Sequence, residues 1–417
     1  MFTFAPVAEQ LALLTRGIVD LHVRAELEER LAKSRESGVP LRVKAGFDPT
    51  RPDLHLGHVV LMQKMRQFQD LGHQVIFLVG GFTAMIGDPT GQSEARPRLT
   101  REAIDAAAKT YLDQAFLVLD RDRTEVRNNL EWLETMTATQ LVELMAKITV
   151  SRMLERNDFA QRFADHKAIY QHEFLYPLAQ AYDSVALKCD IELGGTDQLF
   201  NLLMGRDVME RYGMRGQMVM TTPILEGLDA KMIDGRVVGK KMSKSADNYV
   251  GVLEPARDQY RKLMQVDDDI IFRYFELLSS KSTSEIETLK AERAAGRDPR
   301  TIKAELAREI PTRFHGREAA ENAEREFQSV YAADAIPDDV PTHTVATEGE
   351  SLWIAKALAS AGLVKTTSEG KRLVEQGGVE VDRARVTDVN LKLEKGKKYL
   401  LKVGSKNRRF AYVVVAP

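Results

Sequence analysis

Three observations predict the fold class. Two strand-length apolar runs flank one amphipathic helix near residue 60, residues 254–331 are helical and charge-rich with no strand signal, and a short basic tail reads helix first and strands after. Together they predict an α/β chain. Its first part is a Rossmann-like, doubly wound parallel sheet with a helical insertion, over residues 1–253. A helical domain follows over 254–331, then a linker over 332–350 and a small α+β module over 351–417.

The first apolar run, Leu41 to Phe47, ends in the turn chemistry of Asp48-Pro-Thr50. An amphipathic helix is expected from about Gly57 to Leu71, closed by Gly72-His73. Gln74 to Val79 is then a near-continuous apolar run, the pattern of a strand buried on both faces of a parallel sheet. Thr100 predicts the N-cap of a helix from Arg101 to about Leu119. Further helices are expected over Thr139–Leu154 and Glu173–Val185, a strand over Lys188–Leu193, and a helix opened by Gly194-Gly-Thr-Asp197. Ala332 to Glu350 holds Pro337, Pro341 and several acids with little apolar period, the composition of a linker.

With 417 residues, 44% hydrophobic and 29% charged, the composition is that of a soluble globular chain of two to three domains. A single cysteine, Cys189, excludes an internal disulfide framework and a cysteine-rich zinc site, and fits a reducing, cytoplasmic setting. No apolar run is long enough for a membrane span, and Met1 to Arg16 lacks the pattern of a secretory leader. The net charge of −2 conceals an asymmetry. Ser351 to Pro417 carries 14 Lys+Arg against 6 Asp+Glu, whereas the remainder carries 45 against 55. A basic tail on an acidic body points to a polyanion as the tail's partner.

Two motifs carry chemistry. In Pro49-Thr-Arg-Pro-Asp-Leu-His55-Leu-Gly57-His58, a strand hands over to a helix whose first N–H groups and dipole favour a phosphate. Histidines three apart share one helical edge, where imidazoles donate to phosphate oxygens as charge develops. Gly57 leaves the backbone open to a flat base. In Lys240-Lys-Met-Ser-Lys-Ser245, flanked by Gly235 and Gly239, lysines on a loop with glycine hinges close on a triphosphate. Taken singly, a surface histidine pair is an equally good reading of the first motif, and an exposed basic turn is the better reading of the second. Together and in this order, His55-Leu-Gly57-His58 and Lys241-Met-Ser-Lys244-Ser245 resemble the two signatures of class I aminoacyl-tRNA synthetases.

Tyr176, Gln180 and Asp183 fall at i, i+4 and i+7, a polar stripe in an otherwise apolar helix. Such a stripe costs energy unless a ligand or an internal network satisfies it. Gly46-Phe-Asp48-Pro-Thr50, Gly80-Gly81…Ile86-Gly-Asp88-Pro-Thr-Gly91, Gln180-Ala-Tyr-Asp183 and Gly194-Gly-Thr-Asp197-Gln198 resemble, in order, the tyrosyl-tRNA synthetases. The resemblance covers nearly the whole chain and is weakest between Glu254 and Glu350. It implies ATP with Mg²⁺ and L-tyrosine as substrates, tRNA(Tyr) as acceptor, a homodimer, and no tightly bound cofactor. It further implies Asp88, Tyr176 and Gln180 around the substrate ammonium, Asp183 at its phenol and Gln198 near its carboxylate. Asp197 is implied at the ribose, and Thr50, His55, Gly57, His58, Lys241 and Lys244 at the nucleotide. The last four of these other than Gly57 (His55, His58, Lys241 and Lys244) are the implied catalytic groups. One departure stands out: where many members carry a phenol-contacting tyrosine, two residues before the Gly of Gly-Phe-Asp, this chain has Lys44. Either Asp183 reads the phenol with another partner, or the pocket is reorganised.

In the tail, Thr366 to Gly378 reads as a capped helix stopped by glycines, followed by lysine-rich strands. Lys371, Arg372, Lys397 and Lys398 are the candidate RNA contacts, on a module resembling the RNA-binding end of bacterial-type tyrosyl-tRNA synthetases. Asp382-Arg383 stands where that module usually has an Asn-Gly turn. Two alternatives are a tryptophanyl enzyme of the same fold and a non-catalytic RNA-binding protein on the same scaffold.

Overall fold

The computed structural model describes residues 4–49, 53–89, 100–331, 339–347, 349–404 and 408–416, without the side chains of 330 and 331. The chain divides into two compact units, Met1–Glu324 and Arg325–Pro417.

The first unit is built on a six-stranded sheet. Its strands are β1 (Asp20–His22), β2 (Arg42–Phe47), β3 (Gln74–Val79), β4 (Thr124–Asn128), β5 (Ile191–Gly195) and β6 (Met218–Thr222). The order is β1-β6-β5-β2-β3-β4, parallel except for β1, which runs antiparallel to β6. From β2 the chain winds outward through β3 and β4, then returns to the other side of β2 for β5 and β6. The strand order therefore reverses between β2 and β5, and a crevice opens there at the carboxyl ends of the strands. Val43, Ala45, Val75, Ile76, Phe77 and Ile191 are buried in the middle of the sheet, as the apolar runs predict.

Helix Leu56–Asp70 packs Val59, Met62, Met65 and Phe68 against the sheet. Its buried Lys64 donates to the carbonyls of Leu13 (3.3 Å), Leu14 (3.0 Å) and Arg16 (2.8 Å), closing the end of the first helix, Val7–Thr15. Burial and the neighbouring Arg16 lower the Lys64 ammonium to about 7.

Several boundaries differ from the sequence pattern for local reasons. The region 139–154 is two helices, Ala138–Met145 and Val150–Met153, because Thr137 and Thr149 each cap a separate start. The strand expected from Lys188 begins at Ile191, since Lys188 itself closes helix Leu175–Leu187 in the left-handed region, φ 48°. Gly235 is no hinge. With Asp234 it forms the tight turn of a hairpin, Lys231–Ile233 and Arg236–Val238, both residues having positive φ. Residues 254–331 hold helices only, from Ala256–Met264 to Arg317–Tyr331. Among the described residues no helix is long and apolar enough to cross a membrane.

The second unit pairs helices Ile354–Ser360 and Thr367–Glu375 with a five-stranded sheet. Thr342–Val345, read from the sequence as linker, is one of its strands and runs parallel to Arg409–Val415. Alternation along the strands alone could not reveal this, because only Val345 of that segment is buried. Leu352, Leu358, Val374, Val379, Leu401 and Val413 form the core of this unit. The turn at Asp382-Arg383 has φ of 48° and 70°. It takes the geometry that Asn-Gly ordinarily supplies, and Asp382 accepts the N–H of Leu400 at 2.8 Å.

Candidate active site

Two adjoining cavities open over the crevice between β2 and β5, sharing Phe47, His58, Leu61, Tyr111 and Gly195 in their walls. The inner one measures about 290 Å³. The outer one measures about 800 Å³.

Strand period two sets the inner wall: Lys44, Gly46 and Asp48 project from one face of β2 and its end. Gly46 is exposed in the middle of a sheet because a Cβ there would meet nothing within 4 Å. Helix Leu175–Leu187 brings in Tyr176, Gln180 and Asp183 from one stripe, as the i, i+4, i+7 spacing requires. Tyr176 donates its phenol to Asp48 at 2.9 Å, and Thr83 donates to the other oxygen of Asp48 at 2.7 Å. Asp88 accepts from Arg156 at 3.0 Å and from Gln198 at 2.8 Å. Among the described residues the side-chain oxygen of Gln180 is buried without a hydrogen-bond partner, an acceptor that an ammonium can satisfy.

At the far end, Asp183 accepts from Trp132 Nε1 (2.8 Å) and Asn129 Nδ2 (3.3 Å). Burial pushes its carboxyl up to about 7, against the pull of Lys44. Lys44 is fully buried and lies 3.0 Å from Glu192, its register partner across β2 and β5. Burial is the largest single influence on the Lys44 ammonium and would lower it, but Glu192, Cys189 and Asp183 together outweigh burial and raise it.

The outer cavity gathers His55, Gly57, His58, Asp197, Lys241 and Lys244. The two imidazoles start helix Leu56–Asp70, with ring centroids 4.1 Å apart. His55 Nδ1 accepts from Gly57 N at 3.2 Å, and His58 Nδ1 accepts from His55 N at 3.3 Å, which leaves the ring proton on Nε2. Burial, with His58 and both lysines adding, lowers His55 to about 3; burial lowers His58 to about 4. Both rings are therefore neutral N–H donors at pH 7. A Cβ on Gly57 would meet the His55 ring at 2.9 Å, so glycine is required for that packing. Burial raises Asp197, and Asp88 adds to it.

The lysine loop is organised by Asn248, whose side chain accepts from Ser243 N (2.9 Å) and donates to Asp229 (2.7 Å) and to the Lys241 carbonyl (3.3 Å). Lys244 is paired with Asp53. Thr50 lies outside the described residues.

The description "tRNA synthetases class I (W and Y)" matches residues 36–332, and "S4 domain" matches residues 352–398. The tyrosine–tRNA ligase of Desulfotalea psychrophila is 50% identical over 409 residues, 98% of either chain. That of Geobacter sulfurreducens is 49% identical over 411 residues, 98% of this chain and all of the other.

The chain belongs to the tyrosine–tRNA ligase family.

Solved structures share its fold. A C-terminally truncated mitochondrial tyrosyl-tRNA synthetase of Coccidioides posadasii aligns with a TM-score of 0.62 at 24% identity, over 76% of this chain and 91% of that one. The Archaeoglobus fulgidus tyrosyl-tRNA synthetase complexed with L-tyrosine aligns at 0.59 and 22% identity, over 76% and 99%. Family membership makes this an ATP-dependent aminoacyl-tRNA synthetase, a ligase with a C-terminal S4 module.

Among the expected site residues, the ligase's two cavities bring together all that the structure describes in the first unit. In the S4 unit, Lys371 and Arg372 are exposed on helix Thr367–Glu375. Lys397 is paired with Glu394 at 2.6 Å, and Lys398 lies over the Tyr412 ring at 3.9 Å. Asp48, Arg156, Glu192 and Asn248 also organise the site and were not singled out by motif. Asp48 sits inside a quoted motif and could have been found by its strand spacing from Lys44. Arg156 comes from the helical insertion, and only the fold brings it to Asp88.

Proposed function

We propose that this ligase activates L-tyrosine in the inner cavity with ATP bound in the outer one, then passes the tyrosyl group to the 3′ end of tRNA(Tyr). The continuity of the two cavities over the crevice between β2 and β5 carries this reading. In it the substrate ammonium meets Asp88, Tyr176 and the unpartnered Gln180 oxygen, and the ring lies beside Gly46. Its hydroxyl reaches Asp183, and its carboxylate, near Gln198, faces the outer cavity. There it attacks the α-phosphorus of ATP: the new C–O–P bond forms as the bond to pyrophosphate breaks. No covalent enzyme intermediate is required, so positioning and charge stabilisation supply the catalysis.

Neutral His55 and His58 donate Nε2–H to phosphate oxygens, while Lys241 and Lys244 meet the leaving charge. Asp197 holds the ribose, and Gly57 clears a face for the base. This donor set of imidazole N–H and ammonium suits phosphate oxygens rather than a cation. Mg²⁺ accordingly enters as part of the nucleotide substrate, neutralising phosphate charge. The exposed bases Lys371, Arg372, Lys397 and Lys398 of the S4 unit meet RNA phosphates. A division at 1–253, 254–331, 332–350 and 351–417, a homodimeric assembly and a cytoplasmic setting belong to the same proposal.

The test is ATP–pyrophosphate exchange with tyrosine, phenylalanine and tryptophan supplied separately, without tRNA. Exchange with tyrosine alone is expected. Exchange with tryptophan or phenylalanine would overturn the assignment of Asp183, and no exchange would revive a non-catalytic RNA-binding role.

A further inference from the structure

The floor of the inner cavity is charged in a way that a carboxylate acting alone does not explain. Lys44, Glu192 and Asp183 all line it, and each is buried to 2% exposure or less. Glu192 is saturated: Gln180 Nε2 (3.2 Å) and Lys44 reach one oxygen, and Ser184 Oγ (3.3 Å) and Gln217 Nε2 reach the other. Lys44 has three N–H groups. Among the described residues its acceptors are Glu192 and the Gln180 carbonyl, at 3.4 Å, so one donor remains for the cavity. Asp183 accepts one hydrogen bond on each oxygen and has lone pairs to spare.

One desolvated donor and one desolvated acceptor thus line the same cavity, close enough to feel each other's charge. An unsubstituted phenyl ring would leave both unmet, which costs far more than a missing contact in water. A hydroxyl meets both at once, because it accepts and donates.

We propose that Lys44 determines specificity jointly with Asp183: its ammonium donates to the phenol oxygen of bound tyrosine, while the phenol O–H donates to Asp183. Glu192 is a positioning residue that fixes the ammonium through the β2–β5 register. This rests on the tyrosine-activating reading above and names the second group that reads the hydroxyl. It also separates this pocket from one with two acceptors, since an arylamine donates well and accepts poorly. The unaltered enzyme should therefore discriminate against 4-amino-L-phenylalanine as well as against phenylalanine.

The experiment is pyrophosphate exchange with tyrosine, phenylalanine and 4-amino-L-phenylalanine, for the unaltered full chain and for the double variant Lys44→Met/Glu192→Gln. The double variant removes the donor without stranding a buried carboxylate. Its kcat/KM for tyrosine should fall about 10–100-fold, with that for phenylalanine within about threefold, so that the tyrosine preference over both analogues collapses by the same factor. If Lys44 is only a strut, all three substrates fall together and the ratios stay put, which overturns the proposal. Equal use of tyrosine and 4-amino-L-phenylalanine by the unaltered enzyme overturns it even if the variant fails to fold. Absence of tyrosine-dependent exchange in the unaltered enzyme sinks the functional reading itself. Tyrosine exchange with unchanged ratios sinks this inference alone.

Discussion

On the function proposed above, the two ends of the candidate active site solve opposite problems. At the inner end Lys44, Asp183 and Glu192 are buried, fixed by strand register and helix packing, and bonded to neighbours on most of their polar atoms. At the outer end the lysines sit on a partly exposed loop held by Asn248 and by the Lys244–Asp53 pair, and the imidazoles hang from a helix start. Discrimination needs groups that cannot adjust to a wrong ligand. Phosphoryl chemistry needs charge that arrives as the transition state forms. The difference in burial is thus a difference in task.

The comparison breaks first at the outer end. His58→Ala should slow single-turnover adenylate formation about 10²–10³-fold, the size expected for losing one donor aimed at developing charge. Tyrosine affinity measured by equilibrium dialysis should hardly move. An unchanged activation rate would strip the imidazole of that role and erase the division of labour.

Acid and base sharpen the contrast, because the two ends titrate with opposite sign. Asp183 is raised to about 7 from an ordinary carboxyl value of about 3.9. Between those values the folded chain holds a proton that the unfolded chain has released, so this group's contribution to stability declines as pH rises from about 4 to 7. His55 and His58 are lowered to about 3 and about 4, from about 6.5. Their contribution is present above about 6.5 and is lost as pH falls toward 3. Urea unfolding at about pH 5, 6 and 7 should therefore show Asp183→Asn gaining on the unaltered protein as pH rises. Parallel curves would mean that Asp183 is not held protonated by burial.

A smaller effect is expected at Asn248. Replacing it with alanine removes the hydrogen bonds to Ser243 N and the Lys241 carbonyl. With each of the two bonds worth about 1 kcal/mol, KM for ATP should rise about 30-fold while tyrosine discrimination is untouched. A shift in the tyrosine-to-phenylalanine ratio would show that the two ends are coupled. Least of all, Arg383→Gly should relieve a left-handed arginine and stabilise the S4 unit by about 1 kcal/mol in calorimetry. Adenylate formation should not change, and a loss of stability would mean that the arginine side chain matters more than its backbone.

Much of the inner fold was legible because one physical rule dominated each stretch. The run Gln74–Val79 is a strand in full, and Thr100 caps helix Arg101–Ala115 as its hydroxyl predicts. Tyr176, Gln180 and Asp183 share a face because helical geometry leaves no other choice. What escaped depends on contacts distant in sequence. Arg156 reaches Asp88 across 68 positions, and Glu192 meets Lys44 across 148, through a crossover that no local pattern encodes. The strand Thr342–Val345 escaped for a related reason: its parallel partner lies about 70 residues later, and its own side chains are mostly exposed.

Lys64 ties the beginning of the chain to its chemistry in the order of synthesis. Helix Val7–Thr15 emerges from the ribosome well before residue 64, yet its last carbonyls find their ammonium donor only when that residue arrives. Until then the amino end has no finished terminus. Once docked, it becomes the acceptor set of the same helix that presents His55 and His58. Proteolytic loss of the first sixteen residues would strip a buried ammonium of three carbonyl acceptors and leave it Gln67, six and nine residues from those imidazoles. Damage at the chain's start would be felt at the phosphate.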